Sequence, residues 1–197
     1  MENLRLIKPN IDFEKQVLEM VQEFYEDGST PYWSSWIKKY SNNYKLWLEY
    51  LKQCESEDTV GGNIVPASQY ILIREFDNKV IGFISVRHRL NDLLLEHWGH
   101  IWYSIRPSER RKHYALWEVF AVLNIFRDLW IEKILAVCDK SNIWSIRIIE
   151  DCGWVLENEI IDPTDWELIQ RYWIDIKEWT EKWNKFFNWW EFNIEIV

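Results

Sequence analysis

Glycine is scarce in this chain. There are 6 in 197 residues, where ordinary usage of about 7% gives roughly 14. Strands and helices that alternate need glycine for tight turns and close backbone approaches, so this shortage calls for an account. Cysteine is also sparse. Cys54, Cys138 and Cys152 are odd in number and far apart. They form neither a disulfide framework nor a CxxC metal site, and a reducing, cytoplasmic setting is the expectation. No apolar run reaches the roughly 18 residues that span a bilayer. Met1 to Lys8 alternates charged and apolar residues and lacks the apolar core of a signal peptide. Excess basic charge is lacking too: the net charge is −9, which argues against a nucleic-acid-binding domain as a whole. It leaves room for a local basic patch. The 4 histidines show no ligand spacing with cysteines or acids, so no metal is expected.

What the chain has in excess is tryptophan. There are 15, of which 3 precede residue 98 and 12 lie from there on. The last 100 residues hold only Gly99 and Gly153. The length suits one domain with a short extension, and 48% apolar with 28% charged residues is ordinary globular usage.

Periodicity supplies the element order. Asn3 to Lys8 alternates as a short strand. Ile11, Val17, Leu18, Val21, Phe24 and Tyr25 recur at helical spacing, with Asp12 as the predicted N-cap and Gly28 as the stop. A polar, aromatic loop runs from Ser29 to Asn42, and a second helix covers Tyr44 to Glu55. The period then changes. Tyr70 to Phe76 and Lys79 to Val86 read as strands joined at Asp77-Asn78, a hairpin signal. His100 to Ile105 is a third strand stopped by Pro107, and Tyr114 to Leu129 a long apolar helix. Lys133 to Cys138 is a buried strand, Ile143 to Cys152 a short helix, and Val155 to Ile161 and Leu168 to Ile176 two more strands. The order β-αα-β-β-β-α-β-α-β-β predicts an α/β chain of the α+β type, with a mixed, mostly antiparallel sheet of 6–7 strands and helices on both faces. The division expected is a domain over 1–176 and a Trp-rich extension over 177–197. Ile176, Trp179, Trp183, Phe186, Phe187 and Trp190 predict an amphipathic helix there.

The stretch Ile105-Arg-Pro-Ser-Glu-Arg-Arg-Lys-His-Tyr-Ala115 carries chemistry. Arg110, Arg111 and Lys112 stand just before a helix start. Backbone N–H groups at a helix start beside fixed cations make an anion site. In an acidic chain that points to a phosphorylated ligand, and charge alone fits a solvated basic turn equally well.

The element order adds to this. The arrangement resembles the GNAT acetyltransferase superfamily. There, an Arg/Gln-x-x-Gly-x-Gly/Ala loop after the fourth strand cradles the pyrophosphate of acetyl-CoA. Arg110 matches the first position and Ala115 the last. Asp139 to Ser145 is similar to the strand-to-helix segment whose Asn142 and Ser145 face the cofactor arm, and Gly153-Trp154 to the start of the sixth strand. The resemblance covers residues 3–176. It is closer still to an uncharacterised bacterial subgroup of predicted acetyltransferases, on the phrases Arg87 to Asn91, Gly99 to Ile101, Arg106 to Arg110, Cys138 to Lys140, Leu156 to Glu159 and Arg171 to Ile174.

The resemblance implies an N-acetyltransferase that moves an acetyl group from acetyl-CoA, its co-substrate, to a primary amine on a small molecule or peptide by direct transfer in a ternary complex. Implied cofactor-binding residues are Ile105, Arg110, Arg111, Lys112, His113, Tyr114, Ala115, Asn142 and Ser145. A base takes a proton from the ammonium, and a backbone N–H at Ile105 or its neighbours polarises the thioester. Candidate catalytic residues are Glu96, His100 and His88, with His97 beside them; the alternative for each is a surface or hydrogen-bonded structural residue. Arg87 and Asn91 are candidates for holding substrate.

Departures from the family bear on activity. His113 replaces the loop glycine. The superfamily's tyrosine acid falls at Ile149, which cannot donate a proton. The subgroup's glycines correspond to Trp98, Trp102, Trp130, Trp144 and Trp166. Trp102 fills the acyl site if it points to the thioester face and is core if it points away. An alternative function follows: a catalytically inactive GNAT-fold binding or structural protein, its cleft filled by Trp and His side chains. A further reading concerns decoding. UGA is read as Trp in some genomes and Gly in others, so UGA glycines rendered as Trp would look crowded, strained or anomalously exposed; His113 has no such origin. The tail admits three readings: packing on the domain, a homodimer contact, or a membrane surface, which its balanced charges oppose.

Overall fold

The computed structural model describes residues 2–29, 37, 39–40, 43–183 and 192–197. The predicted loop from Ser29 to Asn42, with Tyr32, Trp33 and Trp36, lies mostly outside these residues.

The chain opens with β1 (Glu2–Ile7). A short 3-10 turn, Ile11–Phe13, leads into α1 (Glu14–Glu26). The side-chain cap lies at the 3-10 turn and is Asn10 rather than the predicted Asp12: the Asn10 side chain accepts from the Asp12 N–H, while Phe13 at the N-cap of α1 makes no side-chain bond. Asn at an N-cap satisfies an otherwise orphaned donor. Asn43 caps α2 (Tyr44–Gln53) in the same way. Then come β2 (Ala67–Arg74), β3 (Lys79–Arg87), a π-helical turn over Leu94–Trp98, and β4 (Ile101–Ile105). A 3-10 turn at Pro107–Glu109 precedes α3 (Tyr114–Asp128). The second half is β5 (Lys133–Asp139), α4 (Ile143–Asp151), β6 (Val155–Ile161) and β7 (Leu168–Asp175).

The expected mixed, mostly antiparallel architecture is present, with the strands divided between two sheets. One has the order β4-β3-β2-β1-β8, where β8 is the strand Phe192–Ile196 of the tail, and the other β5-β7-β6. The tail differs from a single amphipathic helix. It forms α5 (Ile176–Trp183) and then β8 (Phe192–Ile196), which pairs parallel with β1. The physical reason is the open ladder of β1, an edge that a further strand satisfies. Ile176 and Trp179 pack into the main core, where the Trp179 ring lies 5.6 Å from that of Phe120 and its Nε1 donates to Cys152 O. Phe186, Phe187 and Trp190 lie outside the described residues.

Both faces of the larger sheet are buried. Leu4, Leu6, Tyr70, Leu72, Ile84 and Val86 face α3. Ile7, Ile71, Ile73, Val80 and Phe83 face α1 and α2, around the fully buried Trp47. A register shift between Leu72 and Ile73 lets Ile81 turn to the α3 side beside its neighbour Gly82. Two covered faces explain why β2 and β3 read as near-continuous apolar runs. Truncating Trp47 to alanine removes a filled core volume worth about 3–5 kcal/mol.

One buried group is at odds with this core. Glu118, on α3, is fully buried and neither carboxyl oxygen has a hydrogen-bond partner. A Cβ at Gly82 would lie 2.7 Å from its Oε1, so glycine is what admits the carboxyl. Burial raises the pKa of Glu118 well above 4.5, because an isolated carboxylate cannot be desolvated cheaply. The folded state therefore holds a proton that the unfolded state loses. Stability from this group is complete below about pH 4.5 and is lost as pH rises through the folded value. Glu118→Gln is expected to flatten the alkaline fall in melting temperature; the same fall in both proteins would refute this.

Candidate active site

Between β4 and β5 the strands part. The two sheets are joined there at His100 and Leu135. The His100 N–H donates to Leu135 O at 2.7 Å, and the Leu135 N–H donates to His100 Nδ1 at 2.9 Å. The ring stands in for a main-chain acceptor. It sits edge-on to Phe126 and Trp173, with centroids at 5.7 and 6.5 Å. Gly99 makes the approach possible: its φ is +64°, and a Cβ there would come within 2.5 Å of Leu135 O. Burial, and then the charge of Arg87, lower the His100 pKa to about 4. The ring is thus neutral at physiological pH, with its Nδ1 lone pair committed to the backbone.

Past this junction the edge of β4 is open. Arg106 N donates to Ile81 O, and Arg87 N to His100 O. In an antiparallel ladder, hydrogen-bonded and non-bonded pairs alternate. Residues 102 and 104 therefore turn their main chain toward β3, and the amides of Ile101, Tyr103 and Ile105 face the gap. Across the gap, Tyr103 OH lies 2.8 Å from Ser145 Oγ at the start of α4. Asn142 caps α4 by accepting from the Ser145 N–H at 3.1 Å. Burial raises the pKa of the Tyr103 phenol and pushes the Cys138 thiol to about 11.

The basic loop closes the far end of the gap. Arg111 and His113 both have φ of +64°, and His113 is the N-cap of α3 without a side-chain capping bond. Histidine tolerates the left-handed region better than most residues, which is how the loop keeps a glycine-like turn. The first amides of a helix have no intrahelical acceptor, so those of Tyr114 and Ala115 are placed for an anion. The three cations are not equivalent. Arg110 donates to Asp27 Oδ2 at 2.7 Å and Ser29 Oγ at 3.0 Å. Lys112 donates to Glu109 at 2.8 Å. Arg111 is exposed, with its guanidinium 5.8 Å from the Trp144 ring.

Glu109 shapes this loop. It is buried, and Arg74 and Lys79 also donate to it, at 2.7 and 2.5 Å. Burial alone would raise its pKa, but hydrogen bonds from Lys112, Lys79 and Arg74 hold it near 2. Glu23 on α1 accepts from the Ser108 N–H and from Arg106. Sequence reading missed Glu109, Glu23, Asp27 and Tyr103. Their partners lie tens of residues away, and no local spacing announces them.

On the opposite face of β4, Trp102 lies beside Ser85, away from the α3 core. Its Nε1 donates to Trp98 O, and the Arg87 guanidinium stacks 4.8 Å from its ring. Arg87 also donates to Gly99 O at 2.8 Å, and burial lowers its pKa to about 10. His88 Nε2 lies 2.9 Å from Ser68 Oγ, and burial lowers its pKa. Asn91 is occupied structurally: its Oδ1 accepts from the Leu94 N–H and its Nδ2 donates to Asn63 O. Glu96 is exposed, 3.5 Å from the Nε2 of buried His97. Among the described residues no cluster of His, Cys, Asp or Glu could hold a metal, and no helix is long and apolar enough to cross a membrane. The three cysteines are free.

A sheet parted beside an open strand edge, with a cationic turn and a helix start at its mouth, defines the class: acyl-CoA N-acyltransferases. The chain belongs to the GNAT acetyltransferase family, since residues 10–155 match the family model described as the Acetyltransferase (GNAT) domain. No curated protein matches it significantly in sequence. Solved structures of similar fold include a spermidine N-acetyltransferase SpeG chimera from Vibrio cholerae and hSSAT. It has a TM-score of 0.62 at 14% identity, over 89% of this chain and 97% of that one. Another is the dodecameric spermidine N-acetyltransferase from Vibrio cholerae, at TM-score 0.59 and 14% identity, over 91% and 97%. A third is yncA from Salmonella typhimurium with its cofactor acetyl-CoA, at TM-score 0.56 and 11% identity, over 88% and 94%. These likenesses are of fold.

Replacing His100 tests the junction. His100→Ala leaves the Leu135 N–H buried without its acceptor and is expected to cost about 1–3 kcal/mol in urea unfolding. The wild-type contribution should be complete above pH 6.5 and lost as pH falls toward about 4, because the folded state resists protonation.

Proposed function

We propose that this chain transfers an acetyl group from acetyl-CoA directly to a primary amine in a ternary complex. The observation that carries this is the open edge of β4 running from the His100–Leu135 junction to the cationic loop. The residues fit the co-substrate. Arg111 and the amides of Tyr114 and Ala115 would hold its pyrophosphate, with Arg110 and Lys112 adding positive field while tethered to Asp27 and Glu109. The outward amides of Ile101, Tyr103 and Ile105 would hold its arm as an added strand and polarise the thioester carbonyl. Acetyl-CoA supplies the activated acyl group. From Ile101 to Ile105 the strand spans roughly 13 Å at about 3.3 Å per residue, so an arm anchored at the loop reaches the level of Trp102.

The amine must lose a proton before attack. Of the three candidate bases, His100 has a nitrogen held by the backbone and His88 shares its Nε2 with Ser68. Glu96 is exposed on the turn that carries Trp98, whose carbonyl meets Trp102. We assign Glu96 the proton, taken directly or through water. Ile149 is buried and offers no acid for the leaving thiolate; water or the Tyr103 hydroxyl takes that part. The acceptor is a cationic amine, in keeping with the chain's net charge of −9. Spermidine, the substrate named for the similar Vibrio cholerae enzymes, is the first to try.

A second reading has one observation in its favour. Tyr103 bridges to Ser145 across the gap, and Trp144 lies against Arg111 at its mouth. A protein with that cleft permanently closed would be a binding or structural module. Calorimetry separates the two. Heat on titrating acetyl-CoA, weakened about tenfold or more by Arg111→Ala, is expected for the transferase; no heat at millimolar ligand overturns it. With binding shown, release of the free thiol in the presence of spermidine reads turnover. Glu96→Gln should lower kcat about 100-fold, with acetyl-CoA affinity kept.

A further inference from the structure

Three helices of this fold end in the same way. After α1, the Gly28 N–H donates to Tyr25 O and the Ser29 N–H to Phe24 O. After α4, the Gly153 N–H donates to Glu150 O and the Trp154 N–H to Ile149 O. After α3, the residue 130 N–H donates to Arg127 O and the Ile131 N–H to Phe126 O, both at 3.0 Å. This is the Schellman ending, which needs a left-handed residue one past the cap. Gly28 and Gly153 fill that place with φ of +73° and +84°. In the third helix it is filled by Trp130, with φ of +60°.

A second position repeats the anomaly. The β6–β7 connection closes with Asp162 N–H donating to Glu167 O and Trp166 N–H donating to Asp162 O. Trp166 has φ of +65°. For an L-residue with a Cβ, the left-handed region costs roughly 1–2 kcal/mol, and glycine visits it freely. Neither indole recovers that cost by burial: Trp130 is 91% exposed and Trp166 78%. Among the described residues, the remaining left-handed non-glycine positions are Asn78, Arg111 and His113. Trp98, Trp102 and Trp144 are not among them. Other tryptophans, such as Trp47, Trp117 and Trp154, are buried in the core. Among the described tryptophans, the backbone therefore sets these two apart.

We infer that residues 130 and 166 are glycine in the protein its own cells make, the two positions being UGA codons that those cells read as glycine. A single-codon origin accounts for the residue type. Trp and Gly are the two meanings at issue for UGA, and misreading that codon yields neither the Arg nor the His of the cationic loop. The inference stands on backbone geometry and exposure, independently of the catalytic reading above.

Three measurements test it. The codons at 130 and 166 should both be UGA, with UGG at the buried tryptophans, and peptides from the natively produced protein should carry the mass of glycine at both positions. UGG, or the mass of tryptophan, at either position overturns the inference. In the chain that carries tryptophan at both positions, Trp130→Gly and Trp166→Gly should each raise the melting temperature by about 2–4 °C. Trp130→Ala and Trp166→Ala, which shed the indole and keep the Cβ, should not. Glycine variants no more stable than their alanine counterparts would show that the backbone makes no demand for glycine, and would overturn it as well.

Discussion

The pairing of His100 with Leu135 sets the geometry on which the rest of the molecule depends. Two sheets meet at that point, through one ring nitrogen and one main-chain pair. If the ladder continued beyond it, β4 and β5 would zip together and no edge would remain for a ligand. If it were absent, nothing among the described hydrogen bonds would hold the gap at a fixed width near its apex. Gly99 is part of the same device, since any side chain there would strike the Leu135 carbonyl. The imidazole is useful here because it is a neutral acceptor in a buried setting. The two properties that make it a good splice, burial and a committed lone pair, make it a weak base.

The cationic loop obeys a second constraint. Arg110 and Lys112 are tethered to Asp27 and Glu109, while Arg106 and Ser108 are drawn to Glu23. Ion pairs of this partly buried sort fix position more than they add stability. Glu109 in particular has three cationic donors and almost no solvent. The loop is thus built rigid, and Arg111 is left projecting where a phosphate would meet it. A preformed anion site loses little freedom on binding, which is the advantage of placing it on a helix start.

Glycine scarcity, which looked like a matter of composition, is resolved by the backbone into separate cases. Gly82 and Gly99 are required by close approach, Gly28 and Gly153 by left-handed helix endings. Positions 130 and 166 have the same left-handed requirement without the residue that meets it. Trp102 and Trp144 are different. Their backbones accept a side chain, and the effect of each indole is on access, Trp102 beside Arg87 and Trp144 beside Arg111.

Local pattern determined most of the element order, because alternation and helical spacing are imposed by the side chain's own neighbours. The hairpin at Asp77-Asn78, the stop at Gly28 and the limits of β6 were all legible in this way. So was the cationic segment before α3, through its phrase of Arg, Arg and Lys. The tail was not, since β8 forms only because β1 offers an unpaired edge far away in sequence. Nor was the parting of the sheet, the anchoring of the loop by Glu109 and Glu23, or the employment of His100 and Asn91 as backbone partners. Each of these is decided by which distant groups meet in a buried place. A sequence states what a side chain can donate or accept, and only the tertiary structure decides which of those capacities are already spent.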